Sequence, residues 1–290
     1  MKNNSDQKNK REHSWDGIEE YNNPLPRWWL WTFYITIFWS LVYIVIYPSI
    51  PFINLASQGL IGYDSRKSLE QEIDKHNKIN SEIIDSIKNN SLYYILNDNT
   101  LTQFANSGGA ALFRTFCSQC HGAGAAGSKG YPNLLDDDWL WGGDVESIYQ
   151  TILHGIRSDK DDETRYSEMP QFKDILEENQ IQTLTEYVLF LSQKDSNQLN
   201  FSLEGQQLFQ ENCIGCHGEN GLGNSEFGAP NLTDKIWLYG GNKKSIQNTI
   251  NYSHFGMMPA WDGRLDDVQI KQLAIYVFLL GGGNYSKAQQ

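Results

Sequence analysis

The sequence predicts a mainly α-helical chain with one N-terminal transmembrane helix, a helical stalk and two tandem small domains of like construction. Three observations predict it. Twenty residues from Trp28 to Tyr47 carry no charge, the second half of the chain is a duplication, and each copy holds one Cys-x-x-Cys-His stretch. The 290 residues carry a net charge of −12, with 20% charged and 13% aromatic residues. Outside the uncharged run that is the composition of a globular chain, long enough for about two domains. No nucleic-acid partner is expected of it.

The N-terminal segment, 1–27, is polar and precedes the span, 28–47. At about 1.5 Å per residue a helix of that length covers roughly 30 Å, the hydrocarbon thickness of a bilayer. Trp28, Trp29 and Trp31 crowd one end and Tyr43 and Tyr47 the other, as interfacial aromatics do. Pro26 precedes the run and Pro48 and Pro51 follow it. The run is too long and too far from the start for a cleaved signal peptide, and no small-residue cleavage site follows. It reads as an uncleaved anchor. Lys2, Lys8, Lys10, Arg11 and Arg27 precede it, and no basic residue follows until Arg66. The basic side stays inside, so the N-terminus is expected in the cytoplasm and the rest in the periplasm of a bacterial inner membrane.

Residues 48–103 read as a linker and helical stalk. Leu69, Ile73, Ile83, Ile84 and Ile87 recur at helical spacing among many charges, giving a thin apolar face. The expectation is a solvated helix that packs lightly on its surroundings.

The duplication follows as 104–195 and 200–290. Cys117 matches Cys213 at an offset of 96, Trp139-Leu140-Trp141-Gly142-Gly143 matches Trp237-Leu238-Tyr239-Gly240-Gly241 at 98, and Met169-Pro170 matches Met258-Pro259 at 89. All four cysteines lie in Cys117-Ser118-Gln119-Cys120-His121 and Cys213-Ile214-Gly215-Cys216-His217. This spacing is the attachment signature of c-type haem: two thiols bond the haem vinyl groups and the adjacent His reaches the iron. A disulfide framework would leave both His unexplained, and a zinc site would leave both Met-Pro pairs unexplained. A thioredoxin-like use needs a βαβ pattern, which is absent. The expectation is two covalently bound haem c groups, held by Cys117, Cys120, Cys213 and Cys216. His121 and His217 are the first axial ligands, and Met169 and Met258 the second.

Each copy reads as a class I cytochrome c domain. A first helix carries Leu112, Phe113 and Phe116 into the motif. A middle helix spans 145–154, with its equivalent at 244–251. The Met-Pro loop comes next, then a last helix with Leu184, Tyr187, Val188 and Leu191, or Leu273, Tyr276, Val277 and Leu280. The last helix is expected to cross the first, with Phe113, Tyr187, Phe209 and Tyr276 packing the crossing. His154 reads as a hydrogen-bonding or surface residue, and His254 as a weaker rival to Met258. Which repeat's Met serves which haem stays open.

With these elements placed, the chain resembles the membrane-anchored dihaem subunit (subunit III, the P subunit) of cbb3-type cytochrome c oxidase. Trp15-Asp16-Gly17-Ile18-Glu19-Glu20-Tyr21 through Trp28-Trp29 resembles that family's N-terminal domain. Ser167-Glu168-Met169-Pro170 and Gly256-Met257-Met258-Pro259-Ala260-Trp261 are similar to its two Met loops. The resemblance implies a complex that reduces oxygen to water and conserves energy as a proton gradient. Its implied partners are a catalytic haem-copper subunit, a monohaem cytochrome c subunit and a periplasmic cytochrome c donor. This subunit would pass electrons inward and not reduce oxygen itself, since a haem with two protein ligands has no open position and one span without His cannot house such a centre. Two other functions fit the haem motifs: a tethered dihaem carrier serving another respiratory complex, and a dihaem peroxidase, which would need a displaceable ligand. The first copy carries a charge of −8 and nine extra residues before its Met, including Asp159-Lys160-Asp161-Asp162-Glu163. That acidic insertion is a candidate docking face for a basic donor.

Overall fold

The computed structural model describes residues 10–21, 24–51, 53, 57–192 and 203–283. It divides into two compact units, 1–79 and 80–290. In the first unit, strands β1 (Lys10–Trp15) and β2 (Ile18–Tyr21) form an antiparallel hairpin, with Trp15 opposite Ile18. Residues 10–21 of the polar N-terminal segment are therefore folded. Its turn is Asp16-Gly17, with φ of +47° and +83°. Asp-Gly suits a turn that needs two positive φ values, because its twist matches that of the strands.

Helix α1 (Arg27–Ile46) is 20 residues long and buries none of them within the protein. It is long and apolar enough to cross a membrane. Trp29 stacks on Phe33 at 5.4 Å and Tyr43 on Tyr47 at 4.8 Å, so both ends carry paired rings. The chain then turns back on the helix end, with Leu60 and Ile61 N–H donating to the Val45 and Ile46 carbonyls. Gly59, at φ +64°, makes that approach possible, since a Cβ there would strike the Ile46 carbonyl. Helix α2 (Ser65–Ile79) buries no residue, matching the solvated helix expected of this stretch.

The second unit departs from the light packing expected of the stalk. Helices α3 (Ser81–Asn89), α4 (Leu92–Asn97) and α5 (Asn99–Leu112) contribute Ile87, Leu92, Ile95, Leu101 and Ala105 to a buried core. The thin stripe seen in sequence widens once Leu92, Ile95 and Leu101 join Ile87. Lys271 fixes the arrangement by donating to the carbonyls of Ile87, Lys88 and Asn90, the unsatisfied acceptors at the end of α3.

Next come the motif helix α6 (Ser118–His121), α7 (Val145–His154) and α8 (Glu178–Ser192). The second repeat supplies α9 (Leu203–Asn212), the motif helix α10 (Ile214–His217), α11 (Lys243–Tyr252) and α12 (Asp267–Leu279). The middle helices lie where the repeat placed them. Each starts on an N-cap at the same repeat position: Asp144 accepts from Ser147 N–H at 3.0 Å and Asn242 from Ser245 N–H at 2.9 Å.

The last helices do not close their own repeats. Helix α12 of the second repeat packs on α5 and α7 of the first, and α8 of the first packs on α9 and α11 of the second. One core therefore joins Phe113, Val145 and Ile148 to Leu273, Ala274 and Val277. The other joins Ile181, Leu184 and Val188 to Leu208, Phe209 and Ile246. Local connectivity explains the exchange. Only residues 193–202 separate α8 from α9, so these helices can pair as sequential neighbours, which leaves α5 to be covered by α12.

Candidate haem sites

Helix α5 widens into a π-turn over Phe113–Cys117 just before the first motif, a distortion that is common at functional sites. The motif helix then ends at Gly122, φ +80°, and its counterpart at Gly218, φ +75°. These positive angles turn each chain away directly after the motif His.

In both motifs the first cysteine is half-buried and the second exposed. Burial, aided by the neighbouring Cys120, pushes the Cys117 thiol up to about 11. Cys213 is pushed up to about 12, by burial and Cys216. Both are neutral thiols in the apoprotein at neutral pH.

The imidazoles are held alike. His121 Nδ1 lies 3.1 Å from the Pro132 carbonyl oxygen and His217 Nδ1 3.1 Å from that of Pro230. A carbonyl can only accept, so Nδ1 carries the proton and donates, and Nε2 keeps its lone pair. Burial lowers the pKa of both rings despite those hydrogen bonds, which favours the neutral, ligating form. Pro132-Asn133-Leu134 recurs as Pro230-Asn231-Leu232 at the offset of 98, yet the role of the two prolines could be found only from the fold.

The methionines sit in the exchanged cores. Met258, half-buried, packs in the core that holds Cys117 and Trp139. Met169 packs in the core that holds Cys213 and Trp237. The Met258 peptide is fixed by the first repeat: Ile156 N–H donates to the Met258 carbonyl at 2.9 Å, and Met258 N–H returns a bond of 3.0 Å. Trp261 N–H then reaches the Ile152 and Leu153 carbonyls at the end of α7. Met257 is 63% exposed, which leaves Met258 as the inward member of the pair.

His154 and His254 are otherwise engaged. His154 Nδ1 meets Asp161 at 2.9 Å and its Nε2 meets Glu163 at 3.3 Å. His154 thereby draws down the Asp161 pKa. His254 packs on Tyr239 at 5.1 Å, with its Nε2 3.3 Å from Asn248. Sequence reasoning missed Gly109, where a Cβ would strike the Gln272 carbonyl and Tyr276 Cβ. The signal was present, since Gly205 stands 96 residues on and is buried in α9.

The donor set fits haem c: two thiols on one turn, a neutral imidazole beside them, and a half-buried thioether in the same core. Two such sets, each on a short helix beside a core built by three longer ones, define a c-type cytochrome. Residues 107–192 match the cytochrome c family, residues 202–277 match the family described as cytochrome c oxidase, cbb3-type, subunit III, and residues 7–54 match the N-terminal domain of cytochrome oxidase-cbb3, FixP. The cbb3-type oxidase subunit CcoP of Cereibacter sphaeroides is 52% identical over 273 residues, 93% of this chain and 94% of that protein. FixP of Sinorhizobium medicae is 48% identical over 271 residues, 93% of each chain, and CcoP of Rhodobacter capsulatus 46% over 282 residues. The chain belongs to the CcoP/FixP family of cbb3-type cytochrome c oxidase subunits. It is an electron-transfer subunit of that oxidase, a membrane protein with covalently bound haem c.

Proposed function

We propose that the chain holds two haem c groups, takes electrons from a periplasmic cytochrome c and passes them toward the oxygen-reducing subunit. The observation that carries this reading is the crossed packing of motif and methionine. Cys117, Cys120 and His121 would hold one haem with Met258, and Cys213, Cys216 and His217 the other with Met169. Bound haem c supplies a one-electron iron couple whose potential a thioether ligand raises.

The protein's own groups do the rest. The proline carbonyls orient the imidazoles, and the exchanged cores half-bury the thioethers. With an imidazole and a thioether both offered to each haem, no position would be left for oxygen or peroxide to bind, which argues for a relay over a peroxidase. The hairpin and α1 fit the N-terminal domain, with residues 1–27 on the cytoplasmic side and both haem sites in the periplasm. The catalytic haem-copper subunit and a monohaem cytochrome c subunit are the partners this arrangement would serve.

The acidic insertion is the donor's place in this reading. Asp161 and Glu163 lie against His154 beside the first motif's middle helix, Asp162 lines the same cleft, and Asp159 is exposed two residues before Asp161. Neutralising Asp159, Asp161, Asp162 and Glu163 in the assembled oxidase tests it by stopped-flow reduction with a basic cytochrome c. The expected result is about a 10-fold slower rate at low salt. The difference should close near 0.5 M salt, where the Debye length is roughly 4 Å. Rates unchanged at low ionic strength would remove the insertion from the donor's path.

A further inference from the structure

One side chain touches both methionine loops. Arg157 follows the Ile156 that pairs with Met258, and its backbone takes the left-handed conformation, φ +51°. Its Nε–H donates to the Gly256 carbonyl at 2.8 Å, two residues before Met258. Its Nη1–H donates to the Ser167 carbonyl at 2.5 Å, two residues before Met169. The guanidinium is held between rings, 6.0 Å from the Trp141 centroid and 5.7 Å from that of Phe255. Arg165 lies over the same Trp141 ring at 6.0 Å and donates to the Trp141 carbonyl, bracing that wall.

The fork has no counterpart in the repeat. At the offset of 98 the second copy places Phe255 where the first has Arg157, and Tyr239 where the first has Trp141. A two-fold arrangement of sites is thus joined by one asymmetric residue. A guanidinium suits the task because its N–H donors are fixed in a plane and can serve two separated carbonyls at once. An ammonium is a compact charge on a flexible stem and cannot keep that spread.

We propose that Arg157 is the positioning residue for both axial methionines, fixing the two Met-bearing loops against each other so that thioether ligation at both haem sites is set by one side chain. The inference rests on Met169 and Met258 being the sixth ligands. A second effect follows from charge: a half-buried cation beside both loops favours the reduced, less positive state at each site.

The test uses the full chain in the assembled oxidase, with Arg157→Gln, Arg157→Lys, Met169→Ala and Met258→Ala. The readouts are the sulfur-to-iron charge-transfer band and a potentiometric titration of both c haems. Each Met→Ala variant should remove about half of the band, as expected of a thioether ligand. If neither does, the ligand assignment fails on its own account, whatever Arg157 does. Arg157→Gln should weaken the band by more than half and move both potentials down. Arg157→Lys keeps the charge but cannot span both carbonyls, so it should weaken the band at one site or both. If Arg157→Gln fails to assemble, the lysine variant decides. A wild-type band and wild-type potentials in Arg157→Lys, or a change confined to one haem in Arg157→Gln, would overturn the proposal.

Discussion

Phe113 of the first repeat packs against Tyr276 of the second, with ring centroids 5.4 Å apart and planes inclined at 51°. The other core holds its image: Tyr187 meets Phe209 at 5.4 Å and 53°. A tilted aromatic pair contributes about 0.5–1.5 kcal/mol beyond the area it buries. Here the same pair is used twice, each time between repeats. The four aromatics form the crossing expected of them, with their partners exchanged.

The exchange predicts which thioether serves which haem. Replacing Cys117 and Cys120 by Ser should leave a chain with haem only at the second motif. In that background Met169→Ala should abolish the Met–iron charge-transfer band, and Met258→Ala should leave it. The opposite pattern would mean that each Met serves its own repeat. Absorption spectroscopy of the purified variants reads the result.

Gly155 ends α7 at φ +69°, and a Cβ there would strike the Met258 carbonyl and the Ala260 nitrogen. Gly155→Ala should therefore cost about 1–3 kcal/mol of stability, from backbone strain and the displaced loop. Because the clash falls on the Met258 peptide, the Met–iron band at the first motif should weaken at the same time. Gly124→Ala is the control, since a Cβ there meets nothing within 4 Å. Thermal melting and the band intensity together check this.

Asp138 is pushed up to about 6, first by burial and then by Asp234, Asp136 and Asp137. Its folded pKa lies above the unfolded value of about 3.9, so the folded state holds the proton more tightly. Asp138 therefore destabilises the fold as pH rises through the range from about 4 to about 6, and the loss is complete above it. Asp138→Asn should raise stability at pH 7 by about 1 kcal/mol, once the shift is discounted for the solvent screening of a half-exposed group. The gain should vanish below pH 4, where both states are protonated. Melting followed by circular dichroism across that range gives the comparison.

Removing residues 1–60 and supplying a cleavable signal should yield a dihaem protein that needs no detergent. Among the described residues, α1 is the one helix long and apolar enough to span a bilayer. A product that still partitions into membranes would show a second anchoring surface. Haem content per chain, measured on the same material, counts the sites.

The sequence by itself determined the candidate chemistry and the helices. Two Cys-x-x-Cys-His stretches, two Met-Pro pairs and a repeat offset marked the candidate donor atoms, and charge-free length marked a helix able to span a membrane. Those are short-range patterns, set by thiol spacing, helical periodicity and bilayer thickness. The Asp16-Gly17 hairpin was legible too, as a two-residue turn signal.

Only the tertiary structure decided the partners. Repeats of like sequence offer α8 and α12 nearly the same apolar face, so periodicity cannot tell which first helix each will cover. The short connection between α8 and α9 settles it, and once those two pair, α12 must close over α5, Met258 must follow it to the first motif, and Arg157 is left spanning both loops.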